Sequence, residues 1–466
     1  MPKQRRLIGN RAFYAMVLAV AVPIMVQHGI TSFVNLLDNV MVGRVGTEQM
    51  SGVAIANQLI MIFELGIFGG LSGAGIFAAQ FYGSGNLEGV RNTFRIKLYI
   101  GLFVVLAFVA AFLLFGRGLV MLFLQGEADV GDTEVTAGHA LGYLRIMLLG
   151  FLPFMLAQVY ASTLKECGET LLPMKAAVAA VFTNLILNYI LIFGKLGFPA
   201  MGGLGAAAAT VVSRFVELGI VAVGAHRHAD RYPFLQGLYR TLLVPAPLLR
   251  SVLVKGLPLL ANELLWSGSM AMLSQCYSLR GLSVVAAMNI TTTVTNLFSV
   301  VMMAMGNAVA IIVGQQLGSG DLERAKDTDR KLIFFSVCVT VVIGAILSLL
   351  SPYIPLIYKT ETAVQTLASL LILAAALTMP IDSLAVTGYF TIRSGGKTLI
   401  TFLFDSAYSW VVTIPLAWCL VHFTALPIVP LYFIVRFSGI IKSGIGLILV
   451  HSGFWCQNIV AENSGS

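Results

Sequence analysis

The chain has 466 residues, 58% of them hydrophobic and 11% charged, with a formal net charge of +8. Too little polar surface remains to coat a water-soluble domain, which excludes a soluble enzyme or binding module. The positive charge reads as membrane topology and contact with anionic lipid headgroups, not as a nucleic-acid footprint.

Apolar runs of spanning length are predicted at 13–37, 50–79, 93–115, 137–161, 171–194 and 203–224, then at 253–278, 285–315, 329–350, 363–391, 398–421 and 427–450. The fold class is therefore an all-α polytopic membrane protein with twelve transmembrane helices. The first run is too long for a signal peptide and reads as helix 1. Basic residues crowd the amino terminus (Lys3, Arg5, Arg6, Arg11), the 2–3 loop (Arg91, Arg95, Lys97), the 6–7 region (Arg227, Arg231, Arg240, Arg250, Lys255) and the 8–9 loop (Arg324, Lys326, Arg330, Lys331). The opposite loops hold Arg44, Arg117, Lys195, Arg280 and Lys359, with an acidic stretch from Glu127 to Glu134. The basic side, with both termini, is expected to face the cytoplasm across the cell's inner membrane.

A motif divides the chain. Gln80-Phe-Tyr-Gly-Ser-Gly-Asn-Leu-Glu88 recurs as Gln315-Gln-Leu-Gly-Ser-Gly-Asp-Leu-Glu323. The same register carries Pro23 to Pro258, Ser32 to Ser267, Gly46 to Gly281, Phe63 to Phe298 and Arg95 to Arg330. A weaker echo pairs Leu152-Pro153 with Met379-Pro380, Lys165-Glu-Cys-Gly-Glu-Thr170 with Arg393-Ser-Gly-Gly-Lys-Thr398, and Ser213-Arg214-Phe215 with Val435-Arg436-Phe437. The expected organisation is a six-helix half over 1–225, a cytoplasmic linker over 226–250 broken by Pro233, Pro245 and Pro247, and a second six-helix half over 251–466 ending in a disordered polar tail, Glu462 to Ser466. A duplicated bundle in a bilayer is the plan of a secondary transporter, here with the two units in the same topology about an axis along the membrane normal and a site between the halves.

The chemistry is expected from acids inside the spans: Asp38 in helix 1, Glu64 in helix 2, Glu263 in helix 7, Asp382 in helix 10 and Asp405 in helix 11. Each costs about 2.5–3.5 kcal/mol at a helix centre, and no comparable set of cations opposes them, Arg145 being the one clearly intramembrane cation. A buried carboxylate can exchange a proton or pair with a cationic substrate, which is the minimum for an antiporter. Each also has a bland reading: Asp38 could bond a neighbouring helix, Glu263 could snorkel, and Asp405 could be hydrated near a helix end. Asp382 follows Pro380, whose ring breaks the backbone ladder. Asn184 and Asn188 share a face of helix 5 and could be interhelical glue or could bond Asp38. Thr210 sits in a small-residue run, and Tyr143, Met155 and Trp266 could line a pocket for flat cations. The cysteines and histidines show no metal spacing, and the loop histidines His226 and His228 read as solvated. No phosphate loop argues for direct use of ATP, and no cofactor or metal is implied.

Taken together, these residues resemble the multidrug and toxic compound extrusion (MATE) family over essentially the whole chain. The carrying features are Pro23 with Asp38-Asn-Val-Met-Val-Gly43, the two Gly-Ser-Gly-Asn/Asp-Leu-Glu loops, Asn262-Glu263-Leu-Leu-Trp266, and Asp382 ahead of Arg393-Ser-Gly-Gly-Lys-Thr398. The resemblance implies two six-helix lobes, alternating access, and export of small drug-like organic cations against inward proton or sodium flow, by a monomer. It assigns ion coupling to Asp38 with Asn184, Asn188 and Thr210, and cation binding to Glu263 and Asp382, with Tyr143, Glu64 and Trp266 as further candidates. Some members carry an aspartate where this chain has Asn188, so fewer hard anionic ligands surround Asp38 and protons are the expected coupling ion. Two alternatives stand beside this: a lipid or lipid-linked oligosaccharide flippase of the same superfamily, which should show cavity arginines, and a non-transporting membrane receptor or scaffold.

Overall fold

The computed structural model describes residues 7–124 and 133–461. Lys3, Arg5, Arg6, most of the Glu127–Glu134 stretch and the tail from Glu462 lie outside the described residues. Helices run in chain order: α1 Arg11–Gly43, α2 Thr47–Gly83, α3 Leu87–Leu124, α4 Thr133–Glu166, α5 Leu171–Phe193, α6 Gly203–Arg227, α7 Ala246–Ser278, α8 Leu282–Gly318, α9 Leu322–Leu350 and α10 Thr362–Ser394. The last two spans are α11 Thr398–Phe423 and α12 Ile428–His451. Among the described residues 11 helices are long and apolar enough to cross a membrane. The twelfth, α7, is as long at 33 residues but carries Asn262, Glu263, Ser267, Ser269 and Gln275 along its length. Several helices outrun their apolar runs. The 38 residues of α3 extend about 57 Å at 1.5 Å per residue, well beyond a hydrocarbon core of about 30 Å, so their ends stand in the headgroup zone.

Proline positions show the duplication in three dimensions. Pro23 and Pro258 lie inside α1 and α7, and Pro153 and Pro380 inside α4 and α10. Each removes a ladder donor and crowds the carbonyl four residues earlier. For Pro380 that carbonyl belongs to Ala376, and α9 approaches it through Gly344, where a Cβ would fall 2.7 Å from the Ala376 oxygen. In α11 two π-type turns, Leu403–Ala407 and Ser409–Thr413, interrupt the α-helix around Asp405. Such turns concentrate at functional sites and leave carbonyls for side chains to satisfy. Here Ser409 Oγ donates to the Asp405 carbonyl at 3.0 Å.

Contacts divide the chain into two compact units. One comprises Val26–Ala78 and Asn86–Val252. Its core is aromatic: Phe63, on a repeated position, stacks 4.3 Å from Phe151 and 5.3 Å from Phe108. The stretch after α6 is not the solvated linker expected. Phe234, Leu235 and Leu238 are buried. Arg91 and Arg95 of α3 donate to the carbonyls of Phe234 and Leu238, each at 3.1 Å. His226 belongs to the last turn of α6 and hydrogen-bonds the Tyr160 hydroxyl at 2.9 Å. An α3 arginine can use free loop carbonyls as ligands, and hydropathy does not register that.

The other unit gathers α1 up to Met25, Ala79–Gly85 at the end of α2, and the chain from Leu253. Val17, Val20, Ala21 and Ile24 of α1 pack with Ala304, Met305, Ala308 and Ile312 of α8. The repeated glycine loops explain themselves here. A Cβ on Gly83 would lie 1.9 Å from the Gln315 carbonyl oxygen, and a Cβ on Gly318 would lie 1.9 Å from that of Gln80. The repeat-related ends of α2 and α8 thus cross backbone to backbone, a contact only glycine allows, and in lipid such close approach is a main source of helix association. Residues 452–460 fold back over this crossing. Trp455 is buried, and the buried Gln80 amide donates to the carbonyls of Ser394 and Gln457 at 3.0 and 3.2 Å and accepts from the Ile459 N–H at 2.9 Å.

Candidate functional site

In the first unit Asp38 stands on α1 opposite the polar face of α5. Asn188 Nδ2 donates to Asp38 Oδ1 at 2.8 Å. The Asn184 amide lies 2.8 Å from Asp38 Oδ2, and in the orientation that satisfies both groups it donates there. The Thr210 hydroxyl of α6 is 3.1 Å from the same amide, and the buried Tyr143 of α4 reaches Thr210. The i, i+4 spacing of Asn184 and Asn188 puts both amides on one face. Four of the residues named from sequence thus surround Asp38, all neutral. Among the described residues no basic group pairs with it. Asn188 Oδ1, also buried, has no hydrogen-bond partner.

Glu64 is placed differently. It pairs with Arg214 of α6 at 2.7 Å, and Arg214 also lies 3.7 Å from Glu217 and over the Phe154 ring at 4.3 Å. A more deeply buried pair, Lys97 and Glu166, is closed at 2.5 Å, with Lys97 Nζ also donating to Ser162 and Thr163.

The second unit repeats the pattern. Asp382 of α10 pairs with Arg436 of α12, whose guanidinium also donates to Thr378 at 2.9 Å and Tyr432 at 3.3 Å. Asp405 is not simply hydrated. It pairs with Lys442 of α12 and accepts from Asn262 Nδ2 at 3.0 Å. Asn262 in turn lies 3.4 Å from the Tyr389 hydroxyl, and Tyr389 donates to Glu263 Oε1 at 3.4 Å. Ser406 donates to both the Asn262 carbonyl and its side-chain oxygen at 2.9 and 2.7 Å, which fixes the amide orientation. Glu263 and Asp382 therefore address different partners; Tyr389, the Glu263 contact, is seven residues from Asp382, about 10 Å along α10. Trp266 is 40% exposed.

The expectation that no set of cations opposes the intramembrane acids is overturned. Arg214, Arg436 and Lys442 neutralise Glu64, Asp382 and Asp405, and Arg145 is not the one cation inside. Arg214 lies midway along α6 and Arg436 within α12, inside spans that hydropathy still reads as apolar, so the positive-inside count absorbs their charge without giving either a partner. Their occurrence at echoing positions of the two halves was the available signal. What remains uncompensated by an ion pair among the five acids is Asp38 in one unit and Glu263 in the other.

A family model, MatE, matches residues 23–190 and again 258–419. The chain belongs to the MatE family. Its two matches begin at the repeat-related prolines, one copy in each half, and MatE proteins are membrane transporters, not enzymes. Among its relatives, the chain is 24% identical over 452 residues to the probable multidrug resistance protein NorM of Thermotoga maritima, covering 95% of this chain and 93% of the relative. It is 24% identical over 433 residues to the protein of the same name from Halalkalibacterium halodurans, covering 92% of each. Solved structures share the fold. An outward-facing multidrug resistance MATE transporter of the MOP superfamily superposes with a TM-score of 0.83 at 18% identity over 96% of both chains. A MOP superfamily transporter from Pyrococcus furiosus Vc1, described as having a binding pocket of reverse polarity and a suggested different function, gives 0.83 at 19% identity over 96% of both.

Proposed function

We propose that this MatE-family transporter is a secondary active antiporter that exports small organic cations in exchange for protons, with Asp38 as the coupling carboxylate. The observation that carries the reading is the Asp38 site: a carboxylate held by two amides, without a basic partner, beside the buried and unpartnered Asn188 Oδ1. A carboxylate already paired to arginine has little to gain from a proton or cation, whereas one held by neutral donors can bind either. The neutral ligand set favours protons over sodium, because a sodium site wants several hard, preferably anionic, oxygens. Glu263, the other of the five named acids without an ion-pair partner, is assigned to cation binding in the second unit. The lipid-flippase alternative requires a set of free cavity cations; Arg214, Arg436 and Lys442 are each tied to an acid, and Arg393, which has no ion pair, stands in the last turn of α10. The assignment places the protein in the cell membrane with its basic side cytoplasmic, following the charge asymmetry.

The test is efflux of a fluorescent organic cation from proteoliposomes under separately imposed gradients. Asp38→Asn should abolish gradient-driven efflux while leaving thermal melting intact. Efflux should persist when choline replaces sodium at fixed pH and collapse when the proton gradient is dissipated. Sodium-dependent transport that survives an ionophore, or normal efflux by Asp38→Asn, overturns the reading.

A further inference from the structure

Glu263 has a basic neighbour that is not yet its partner. Arg393 lies one helical turn beyond Tyr389 on α10, on the same face. It is buried, 9% exposed, and its Nε and Nη1 are shielded from solvent without a hydrogen-bond acceptor. The guanidinium lies over the Phe390 ring at 5.5 Å. It hydrogen-bonds the Tyr389 hydroxyl and is within electrostatic reach of Glu263. Glu263, for its part, has a single long contact, the Tyr389 hydroxyl at 3.4 Å.

Leaving guanidinium donors buried and unsatisfied is costly, and folded proteins seldom keep such groups without a second arrangement that satisfies them. The helix C-terminus favours a positive charge in the last turn of α10. That accounts for a cation at this position but not for two buried N–H groups aimed at no acceptor. Arginine cannot shed its proton, so it can only find an anion. An acid without an ion pair that its charge reaches is Glu263.

The duplication supports the juxtaposition. The register that takes Pro23 to Pro258 takes His28 to Glu263, and the echo of the fourth and tenth helices takes Lys165 to Arg393. In the other unit Lys165 is within electrostatic reach of His28. The fold therefore brings the basic group at the end of α4 or α10 to the same point of α1 or α7 in both halves. In one half it meets a histidine, and in the other a carboxylate.

We propose that Arg393 is a tethered counter-cation for Glu263: it forms the ion pair when Glu263 holds no cargo and yields the carboxylate to an incoming organic cation. This rests on the cation-binding assignment of Glu263 above. Arg393 does not touch the cargo in this scheme; it sets affinity and promotes release by competing for the same carboxylate. A competitor that occupies Glu263 for nine-tenths of the time weakens apparent cargo affinity about tenfold, because apparent affinity scales with the fraction of competent sites.

The experiment measures equilibrium binding of rhodamine 6G, a lipophilic monocation, and its efflux from proteoliposomes, for wild type, Arg393→Gln, Arg393→Met, Arg393→Lys, Glu263→Gln and the Arg393→Gln/Glu263→Gln pair. Arg393→Gln should bind the dye about tenfold more tightly and turn over more slowly, as release loses its competitor. Arg393→Lys should stay near wild type, and the double variant should show no tightening relative to Glu263→Gln. If Arg393→Gln melts below the working temperature, Arg393→Met carries the same test. Unchanged or weaker dye affinity in the neutral Arg393 variants, with Glu263→Gln still weakening binding, overturns the proposal and leaves the cation site standing. Tightening that persists in the double variant also overturns it. Dye affinity indifferent to Glu263→Gln removes the cation site and the proposal with it.

Discussion

Asp382 distinguishes a binding acid from a structural one, and its partner Arg436 supplies the test. The perturbation is a cycle of Asp382→Asn, Arg436→Met and the double variant. The paired side chains are 29% and 27% exposed, between surface and interior. Removing one partner of a fully buried pair costs about 3–5 kcal/mol, while exposed pairs contribute about 0–1 kcal/mol. Arg436 would keep its bonds to Thr378 and Tyr432 when Asp382 is neutralised. Each single variant is therefore expected to lose about 1–3 kcal/mol, and the double variant no more than the worse single, so the coupling is at least the smaller single loss, about 1–3 kcal/mol. The assay is thermal melting in lipid nanodiscs, with binding of a cationic dye on the same samples. A structural Asp382 predicts lower melting for both singles and dye affinity within about twofold of wild type once each variant is folded. Strictly additive melting losses, or an Asp382→Asn protein that melts normally yet loses dye binding, would refute the argument that Arg436 has taken this acid out of the binding role.

Gln80→Leu removes three hydrogen bonds from a buried amide, so stability should fall by about 2–4 kcal/mol; unchanged melting would show that the 452–460 segment is not held there. Gly318→Val should be still more damaging, because its side chain would start 1.9 Å from the Gln80 carbonyl oxygen, and a well-expressed variant with wild-type efflux would contradict the crossing. Burial pushes the Cys167 thiol above its usual range, and the nearby Glu166 carboxylate adds to this while Lys97 opposes it. A raised pKa keeps the thiol protonated at neutral pH, so maleimide labelling of Cys167 should be slow at pH 7 and accelerate as pH rises; rapid labelling at pH 7 in a variant retaining Cys167 alone would refute it.

The twelve helices, the prolines at matched places in both halves and the polar set around Asp38 were legible because each signal is local or periodic. Hydropathy runs along the chain, and Asn184 with Asn188 needs only the helical period to share a face. The ion pairs were not legible for the opposite reason. Glu64 and Arg214 are 150 residues apart, Asp382 and Arg436 are 54 apart, and Asp405 and Lys442 are 37 apart. Such partners meet only through packing, and Arg214, Arg436 and Lys442 lie inside spans, where neither hydropathy nor the positive-inside rule names a partner. The Gly-Ser-Gly motifs read from sequence only as repeated loops, whereas their first glycines are needed for two backbones to touch.

The duplication itself shows why the remaining acids matter. Carried through the repeat register, Asp38 falls on Leu273, a buried core residue of the second unit, and Glu263 falls on His28. The scaffold has been kept twice, in its prolines, its glycine crossing and its echoing arginines, while the unpaired carboxylate has not been kept at equivalent positions. Packing and charge neutralisation explain the first group in both halves. They do not explain an acid that meets amides on α5 in one unit and a tyrosine beside an unsatisfied arginine in the other. Because burying a lone carboxylate carries an energetic cost without a structural return, the two sites are best accounted for as binding positions with different ligands: a proton at Asp38, where all neighbours are neutral, and an organic cation at Glu263, where a tethered guanidinium stands ready to replace it.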